Sequence, residues 1–201
     1  MAQVAEHNGA ARSVPRTARE RARAEITGEI LEAGRRHLAT EGAAALSLRA
    51  IARDLGMASS AMYRYVASRD DLLTRLIIDA YNSLGSAAES AESPVDRADL
   101  AARWSAVCHA VRRWALANPN EWALVYGSPV PGYRAPDDTV APAVEVIEVM
   151  AGIMRDGIAA GSAPPATLPP PPPELAAAVE PIESTLLPGL APQLVAAALL
   201  A

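Results

Sequence analysis

The chain has 201 residues, 51% of them hydrophobic, which suits one compact all-α unit or a small head domain on a larger body. Its longest terminal apolar run, residues 194–201, is far shorter than the roughly 20 residues that span a bilayer, and its polar, arginine-containing N-terminus excludes a secretory signal. We therefore expect a cytoplasmic protein without a membrane segment. The single Cys108 cannot form an internal disulfide, which agrees with a reducing compartment.

Charge is distributed unevenly along the chain. Residues 1–70 carry 11 arginines against 8 acidic residues, a net charge of +3, whereas residues 71–201 carry 7 arginines against 15 acidic residues, a net charge of −8. A globally acidic protein can still bind DNA when its basic residues are concentrated in one part. The positive charge is concentrated in the N-terminal part, and we expect the acidic remainder not to contact DNA.

The chain opens with an aperiodic stretch and a long helix. Residues 1–18 predict a flexible arm, and residues 17–40 predict a helix that ends before Gly42. His37 falls on the same stripe as Ile26, Ile30 and Leu38 of that helix, so we interpret it as a packed histidine rather than a ligand.

Residues 47–73 contain the pattern of a helix-turn-helix. Ser47 is a good N-cap for a helix whose apolar face is formed by Leu48, Ile51, Ala52 and Leu55, and Gly56 then turns the chain. Arg53 and Asp54 are expected to be solvated surface charges.

The second helix of this pattern has two distinct faces. At about 100° per residue, Ala58, Met62, Tyr65 and Val66 point in one direction and are predicted to face inward. Ser60, Tyr63 and Arg64 lie on the opposite arc, with Ser59 at its flank. Their hydroxyl, phenol and guanidinium groups suit phosphates and base edges.

A further helix is predicted from Ser68 to about residue 91, where Ser93 and Pro94 stop it. Ser68 and Asp71 are spaced as in a capping box. Arg69 lies beside the DNA-facing end of this helix.

The remaining two thirds of the chain predict an all-α body. Helices are expected over residues 96–118, 121–126, 140–160, 174–187 and 191–201, with a loop at 127–133 and a polyproline spacer at 162–173. A buried stripe is predicted on the first of them, formed by Leu100, Trp104, Val107, Val111 and Trp114. The apolar C-terminal helices are expected to form or contact a dimer interface. Whether a further helix follows residue 201 stays open.

The N-terminal pattern resembles the DNA-binding domain of the TetR family of one-component transcriptional regulators. The resemblance covers residues 26–73, about a quarter of the chain, and depends on segments such as ILEA, EG, SLRAIA, LGM, MYRY and SRDDLL. It implies that Ser47, Arg49, Ser59, Ser60 and Tyr63 contact DNA and that Arg69 contacts a phosphate. The sequence departs from the family pattern in having Ala58 at the cap of the recognition helix, Val66 for a phenylalanine and Arg69 for a lysine.

The domain division expected from these patterns is an arm at 1–18, a helix-turn-helix domain at 19–68 and an effector-binding and dimerisation domain at 69–201. The predicted fold is all-α, with a three-helix head joined by a long helix to a larger helical body. The predicted DNA-binding residues are Ser47, Arg49, Ser59, Ser60, Tyr63, Arg64 and Arg69.

The predicted function is transcriptional regulation, most often repression in this family, by a homodimer bound to a palindromic operator in double-stranded DNA and released by a small, largely apolar effector. Candidate pocket residues, for which plain core packing is the alternative, are Trp104, Cys108, Trp122, Tyr126, Met150 and Met154. No metal or other cofactor is expected.

The alternatives to this function are an enzyme and an adaptor. An enzyme is disfavoured because Cys108 and His109 are adjacent on a helix and point about 100° apart, and the three histidines lack metal-ligand spacing. An adaptor that docks partners through the proline run instead of binding DNA stays an alternative.

Overall fold

The computed structural model describes residues 17–161, 172–177 and 180. The predictions of a flexible arm, a polyproline spacer and two C-terminal helices therefore lie largely outside the described residues. Over the described residues the fold is all-α, as predicted, without a strand. Its helices are α1 (Ala18–Glu41), α2 (Leu48–Asp54), α3 (Ser59–Met62), α4 (Arg69–Glu92), α5 (Leu100–Ala117), α6 (Pro119–Tyr126) and α7 (Val140–Ala159).

Two short 3-10 turns, Ala43–Ala45 and Asp137–Thr139, were not predicted. Another difference is at the start of α5, which begins at Leu100 instead of residue 96. The carboxylate of Asp99 accepts a hydrogen bond from the Ala102 amide at 2.9 Å, and Asp96 accepts one from the Ala98 amide at 2.9 Å. These aspartates therefore form a turn and a cap ahead of the helix.

The head is a single hydrophobic core built by α1, α2, α3 and the first turns of α4. Its buried members are Ile30, Ala33, Leu38, Leu46, Leu48, Ile51, Ala52, Met62, Val66, Leu72, Leu73 and Leu76. The Gly56 turn between α2 and α3 has a φ of +64°, a conformation that favours glycine, so the predicted helix-turn-helix is present.

The predicted inward face of α3 is only partly correct. Met62 and Val66 are completely buried and Tyr65 is half-buried, but Ala58 is exposed. Ala58 has extended backbone angles and stands before the first turn of α3, so it does not share the helical direction of Met62. It offers no side-chain cap to the helix, as its missing hydroxyl implies.

The 24-residue α4 joins the head to the body. Ser68 caps it by accepting a hydrogen bond from the Asp71 amide at 3.0 Å. The reciprocal bond of the predicted capping box is shifted by one residue, since the Asp71 carboxylate accepts from the Ala67 amide at 2.7 Å. Beyond the head, Ala80, Leu84 and Ala88 of α4 pack into the body.

The buried face of α5 differs from the predicted stripe. Arg103, Val107, Ala110 and Trp114 are buried, whereas Trp104 is 37% exposed. The face of α5 that packs against its neighbours includes Arg103. This residue is only 1% exposed and pairs with Glu92 of α4 and Asp156 of α7. Because adjacent helical residues point about 100° apart, burying Arg103 turns Trp104 outward.

The short α6 and the loop at residues 127–133, named here the seam loop, contact the head. Leu124, Val130 and Tyr133 pack against the head core. The Tyr133 hydroxyl lies 2.9 Å from the Thr74 hydroxyl of α4. Head and body therefore share a packed seam in addition to the continuous helix α4.

Candidate nucleic-acid interface

The first part of the predicted DNA-binding surface is the N-terminal turn of α2. Ser47 caps this helix, its hydroxyl accepting a hydrogen bond from the Ala50 amide at 3.5 Å. Arg49 follows in the first turn and is exposed. Ser47 thus has a structural role, and it remains partly accessible at the surface.

The second part is α3 and the turn that follows it. The regular helix has four residues, but hydrogen bonds from the Arg64 amide to Ala61 and from the Val66 amide to Met62, at 3.2 and 3.1 Å, continue helical geometry beyond it. Ser59, Ser60 and Arg64 are exposed, and Tyr63 is 52% exposed although the residue before it is completely buried. The predicted outward direction of all four residues agrees with the structure.

A surface depression of about 420 Å³ brings four of the predicted DNA-binding residues together. Ser47, Arg49, Tyr63 and Arg69 all line it. They come from α2, the end of α3 and the start of α4, three elements held by the same head core. Ser59, Ser60 and Arg64 are exposed but lie outside its lining.

Arg69 has a structural role that the sequence did not predict. One of its guanidinium nitrogens, Nη2, donates hydrogen bonds to the carbonyl oxygens of Ala43 and Ala44 at 2.9 and 3.3 Å. The other, Nη1, lies 3.5 Å from the Asp70 carboxylate. Arg69 therefore clamps the Ala43–Ala45 turn while it lines the depression.

Three further contacts of the head could not be predicted, because they join residues far apart in the chain. His37 is buried, as predicted, and its Nε2 lies 2.7 Å from the Asp54 carboxylate, so Asp54 is not the purely solvated charge that was expected. Arg23 of α1 donates to the Arg64 carbonyl at 2.8 Å and stands over the Tyr65 ring at 5.6 Å. No spacing rule links such partners in a single sequence.

The six candidate pocket residues are not gathered in one place. The rings of Trp122 and Tyr126 lie 4.5 Å apart at a tilt of 44°, and Tyr126 meets Tyr81 edge-on at 6.0 Å. Burial raises the pKa of Tyr126, as does its neighbour Tyr81. Met150 packs in a separate cluster, Met154 is half-buried, and Trp104 and Cys108 are exposed on α5. The six residues therefore do not line one common pocket.

A polar cavity of about 530 Å³ lies between α1, α4, α5 and α6. Its lining includes Glu32, Asp79 and Glu121, and also Arg35, which pairs with both Glu32 and Asp79. The Arg35–Asp79 pair joins α1 to α4. None of the six candidate pocket residues lines this cavity.

Two other kinds of site are absent from the described residues. Within residues 17–161, 172–177 and 180, no helix is both long and apolar enough to cross a membrane. Nor does that part of the chain contain three or more histidine, cysteine or acidic side chains arranged to hold a metal ion.

Comparison with known proteins identifies both parts of the chain. Residues 30–76 match the model for bacterial regulatory proteins of the tetR family, and residues 104–199 match that for the tetracyclin repressor-like C-terminal domain. The HTH-type transcriptional regulator Rv1816 of Mycobacterium tuberculosis is 52% identical over 150 residues, which cover 72% of this chain. The match spans 61% of that relative's length.

Solved structures give the same result. The crystal structure of SCO4313, described as a regulatory protein, has a TM-score of 0.67 and 36% identity, covering 89% of this chain and 78% of that one. The TetR family transcriptional regulator PfmR of Thermus thermophilus has a TM-score of 0.53 and 22% identity, covering 85% of this chain and 93% of that one, and shows the shared fold alone. The helix-turn-helix head, the helical body and these matches establish that the chain belongs to the TetR family of transcriptional regulators.

Proposed function

We propose that this protein is a DNA-binding transcriptional regulator, acting as a cytoplasmic repressor that a small, largely apolar effector releases from a palindromic operator. The observation that carries the proposal is the depression in which Ser47, Arg49, Tyr63 and Arg69 meet on one face of the head. Arginine and tyrosine side chains are among the groups that bind DNA phosphates. Here they lie at the surface and are positioned by one packed core.

The residues of the head divide into two proposed roles. Arg49, Tyr63 and Arg69 hold phosphates and fix the position of the head, while the exposed Ser59 and Ser60 at the start of α3 face base edges. Arg64, exposed in the turn after α3, adds positive charge at the same end of the head. This division assigns affinity mainly to the arginines and sequence choice to α3.

A homodimer is the proposed active form. Two copies of α3 related by twofold symmetry would read half-sites about 34 Å apart, or a multiple of that distance. The domain division proposed is a helix-turn-helix head at 19–68, whose core is completed by the first turns of α4, and a body that begins at 69. An effector releases DNA when it binds the released conformation of the dimer more tightly.

The proposal assigns no enzymatic step to the chain. Cys108 and His109 are both exposed on α5, and Nδ1 of His109 lies 2.8 Å from the Ser105 carbonyl of its own helix. The histidine ring is thus engaged with its own helix, which supports a binding protein without a Cys–His nucleophile pair.

The test is fluorescence anisotropy of a duplex from the protein's own promoter, titrated at several salt concentrations. We expect a nanomolar Kd that weakens steeply with salt. Arg49→Ala should weaken binding and reduce the salt slope by about 1, and Tyr63→Ala should weaken binding. Arg113→Ala, which removes an exposed arginine from α5, is the matched control.

Two outcomes would overturn the proposal. One is undetectable binding of the duplex at low salt. The other is equal binding by the Arg49→Ala, Tyr63→Ala and Arg113→Ala variants, which would place the DNA contact elsewhere.

A further inference from the structure

A cavity of about 320 Å³ lies at the seam between head and body. Its head wall contains Leu38, Ala43 and Ala44, and its body wall contains Ala123 and Leu124 of α6 and Val130 of the seam loop. It is distinct from the polar cavity that holds Arg35 and Asp79, and it contains none of the six candidate pocket residues.

Both walls of this seam cavity are fixed by contacts elsewhere in the protein. Leu38 belongs to the head core, and Leu124 and Val130 pack against the same core. The Tyr133 hydroxyl, 2.9 Å from that of Thr74, pins the seam loop to α4. A side chain at Gly127 would collide with the Ala123 carbonyl, so the chain can leave α6 at this angle only with glycine there. The cavity is therefore preformed.

The chemistry of the walls defines what can bind. Every side chain that lines the seam cavity is uncharged, and the polar ones among them are Asn120 and Ser128. Ligand sites of about 300 Å³ and above are mostly apolar with a few polar groups that orient the ligand. The lining offers no counter-charge to a charged molecule. The walls fit a small, uncharged, apolar molecule with one hydrogen-bonding group.

The head wall of the cavity leads directly to the DNA-facing side of the head. Ala43 and Ala44 line the cavity, and their carbonyl oxygens accept the two hydrogen bonds of Arg69 Nη2, at 2.9 and 3.3 Å. Arg69 in turn lines the depression that also contains Arg49 and Tyr63. One guanidinium therefore connects the two concave surfaces.

We propose that the seam cavity is a binding site for a small uncharged apolar molecule, and that its occupancy is transmitted to the DNA-facing side through the Ala43–Ala45 turn and Arg69. A molecule lodged against this turn displaces the two carbonyls, so Arg69 loses its present hydrogen bonds or moves with them. The effect on DNA, though not the binding itself, rests on the function proposed above. Couplings of this kind change affinity by about 5- to 150-fold.

Binding is tested with 1-naphthol, which has an apolar ring system and one hydroxyl, by calorimetric titration of the full-length chain. We expect saturable binding of one molecule per chain. The anion 1-naphthoate, which has the same rings but a carboxylate, should bind at least tenfold more weakly. Equal or tighter binding of 1-naphthoate would contradict the uncharged character assigned to the ligand.

The site is located by filling it from each side. Ala123→Trp fills it from α6 and Ala44→Trp from the head, and each should weaken 1-naphthol binding at least tenfold. Ala101→Trp, at an exposed position of α5, is the matched control and should leave it unchanged. Circular dichroism confirms that each variant is folded. Absence of saturable binding, or binding undiminished in both filled variants, overturns the site.

Transmission is measured without DNA and then with it. The NMR resonance of the Arg69 Nε–H group should shift on saturation with 1-naphthol in the original chain and stay in place in Ala123→Trp. An unmoved resonance in the original chain overturns the transmission. With promoter DNA, 1-naphthol should raise the Kd by about 5- to 150-fold. If the chain binds no promoter DNA, the proposed function fails, while the calorimetric and NMR results still decide the site.

Discussion

Replacing Arg103 by methionine should destabilise the protein by about 3 kcal/mol. Arg103 is 1% exposed, and its guanidinium lies 2.5 Å from the Glu92 carboxylate and 2.8 Å from that of Asp156. Burial lowers the pKa of Arg103, but the two carboxylates outweigh it and hold that pKa above the usual value. Removing one partner of a buried ion pair costs about 3 to 5 kcal/mol, because the other charge stays buried.

The lower end of this range applies because Arg97 contacts the same two carboxylates, at 2.8 and 2.6 Å. Its side chain is 66% exposed, so it offsets about 1 kcal/mol at most. Of the two carboxylates, that of Glu92 is the more deeply buried, with an exposed side-chain fraction of 11%. Most of the free energy of unfolding lost in Arg103→Met therefore comes from leaving the Glu92 carboxylate without its buried partner.

Urea denaturation followed by circular dichroism measures the loss. The double variant Arg103→Met with Glu92→Leu should recover much of it, since no buried charge is then left unpaired. Arg113→Met, at an exposed position of the same helix, should change the free energy of unfolding by about 0.5 kcal/mol or less. A loss below about 1 kcal/mol for Arg103→Met, or a double variant as unstable as the single one, would refute the reasoning.

Three other changes have expected outcomes in the same unfolding assay. Asp54→Ala should cost about 1 to 3 kcal/mol, because it leaves Nε2 of the buried His37 without its partner at 2.7 Å; an unchanged stability would argue against that bond. Burial opposes ionisation of Asp71, but hydrogen bonds from Arg75 and a backbone amide hold its pKa below the usual value. Asp71→Asn should therefore destabilise at neutral pH, and the difference should vanish as the pH falls through that lowered pKa. Burial, with two nearby glutamates, raises the pKa of Glu145, so Glu145→Gln should stabilise at neutral pH and lose this advantage as acid protonates the carboxyl; a constant difference across pH would contradict this.

The helices were predictable because their signals are local. The observed ends of α4 and α7, at Glu92 and Ala159, lie within one residue of the predicted ends. Apolar periodicity, an N-cap serine and a stop at proline or glycine each depend on neighbours a few residues away. The turn at Ala43–Ala45 carries no such signal, since alanine is the best helix former and is not one of the residues typical of turns.

The sequence predicts which side chains of the candidate site face outward, but it does not predict contacts between residues far apart in the chain. Ser59, Ser60 and Tyr63 point outward because their angular position on α3 follows from the sequence alone. Arg103 could not be found in this way, since a periodicity argument places an arginine at the surface. Its burial depends on carboxylates 11 and 53 residues away in the chain.

The candidate pocket residues show the same limit. Aromatic and sulfur-containing side chains mark an apolar surface, but nothing in a single sequence tells which neighbour covers it. In the structure Trp104 is exposed on α5, whereas Trp122 packs against the cluster that contains Trp114.

The seam between head and body bears on how far such regulators are modular. A chimera that grafts this head onto another body at residue 68 would leave behind Leu72, Leu73 and Leu76, which complete the head core. It would also leave behind Val130 and Tyr133, which pack against that core although they lie more than 50 residues further along the chain. A transplant that keeps its fold should therefore carry the start of α4 and residues 127–133 together with the helix-turn-helix.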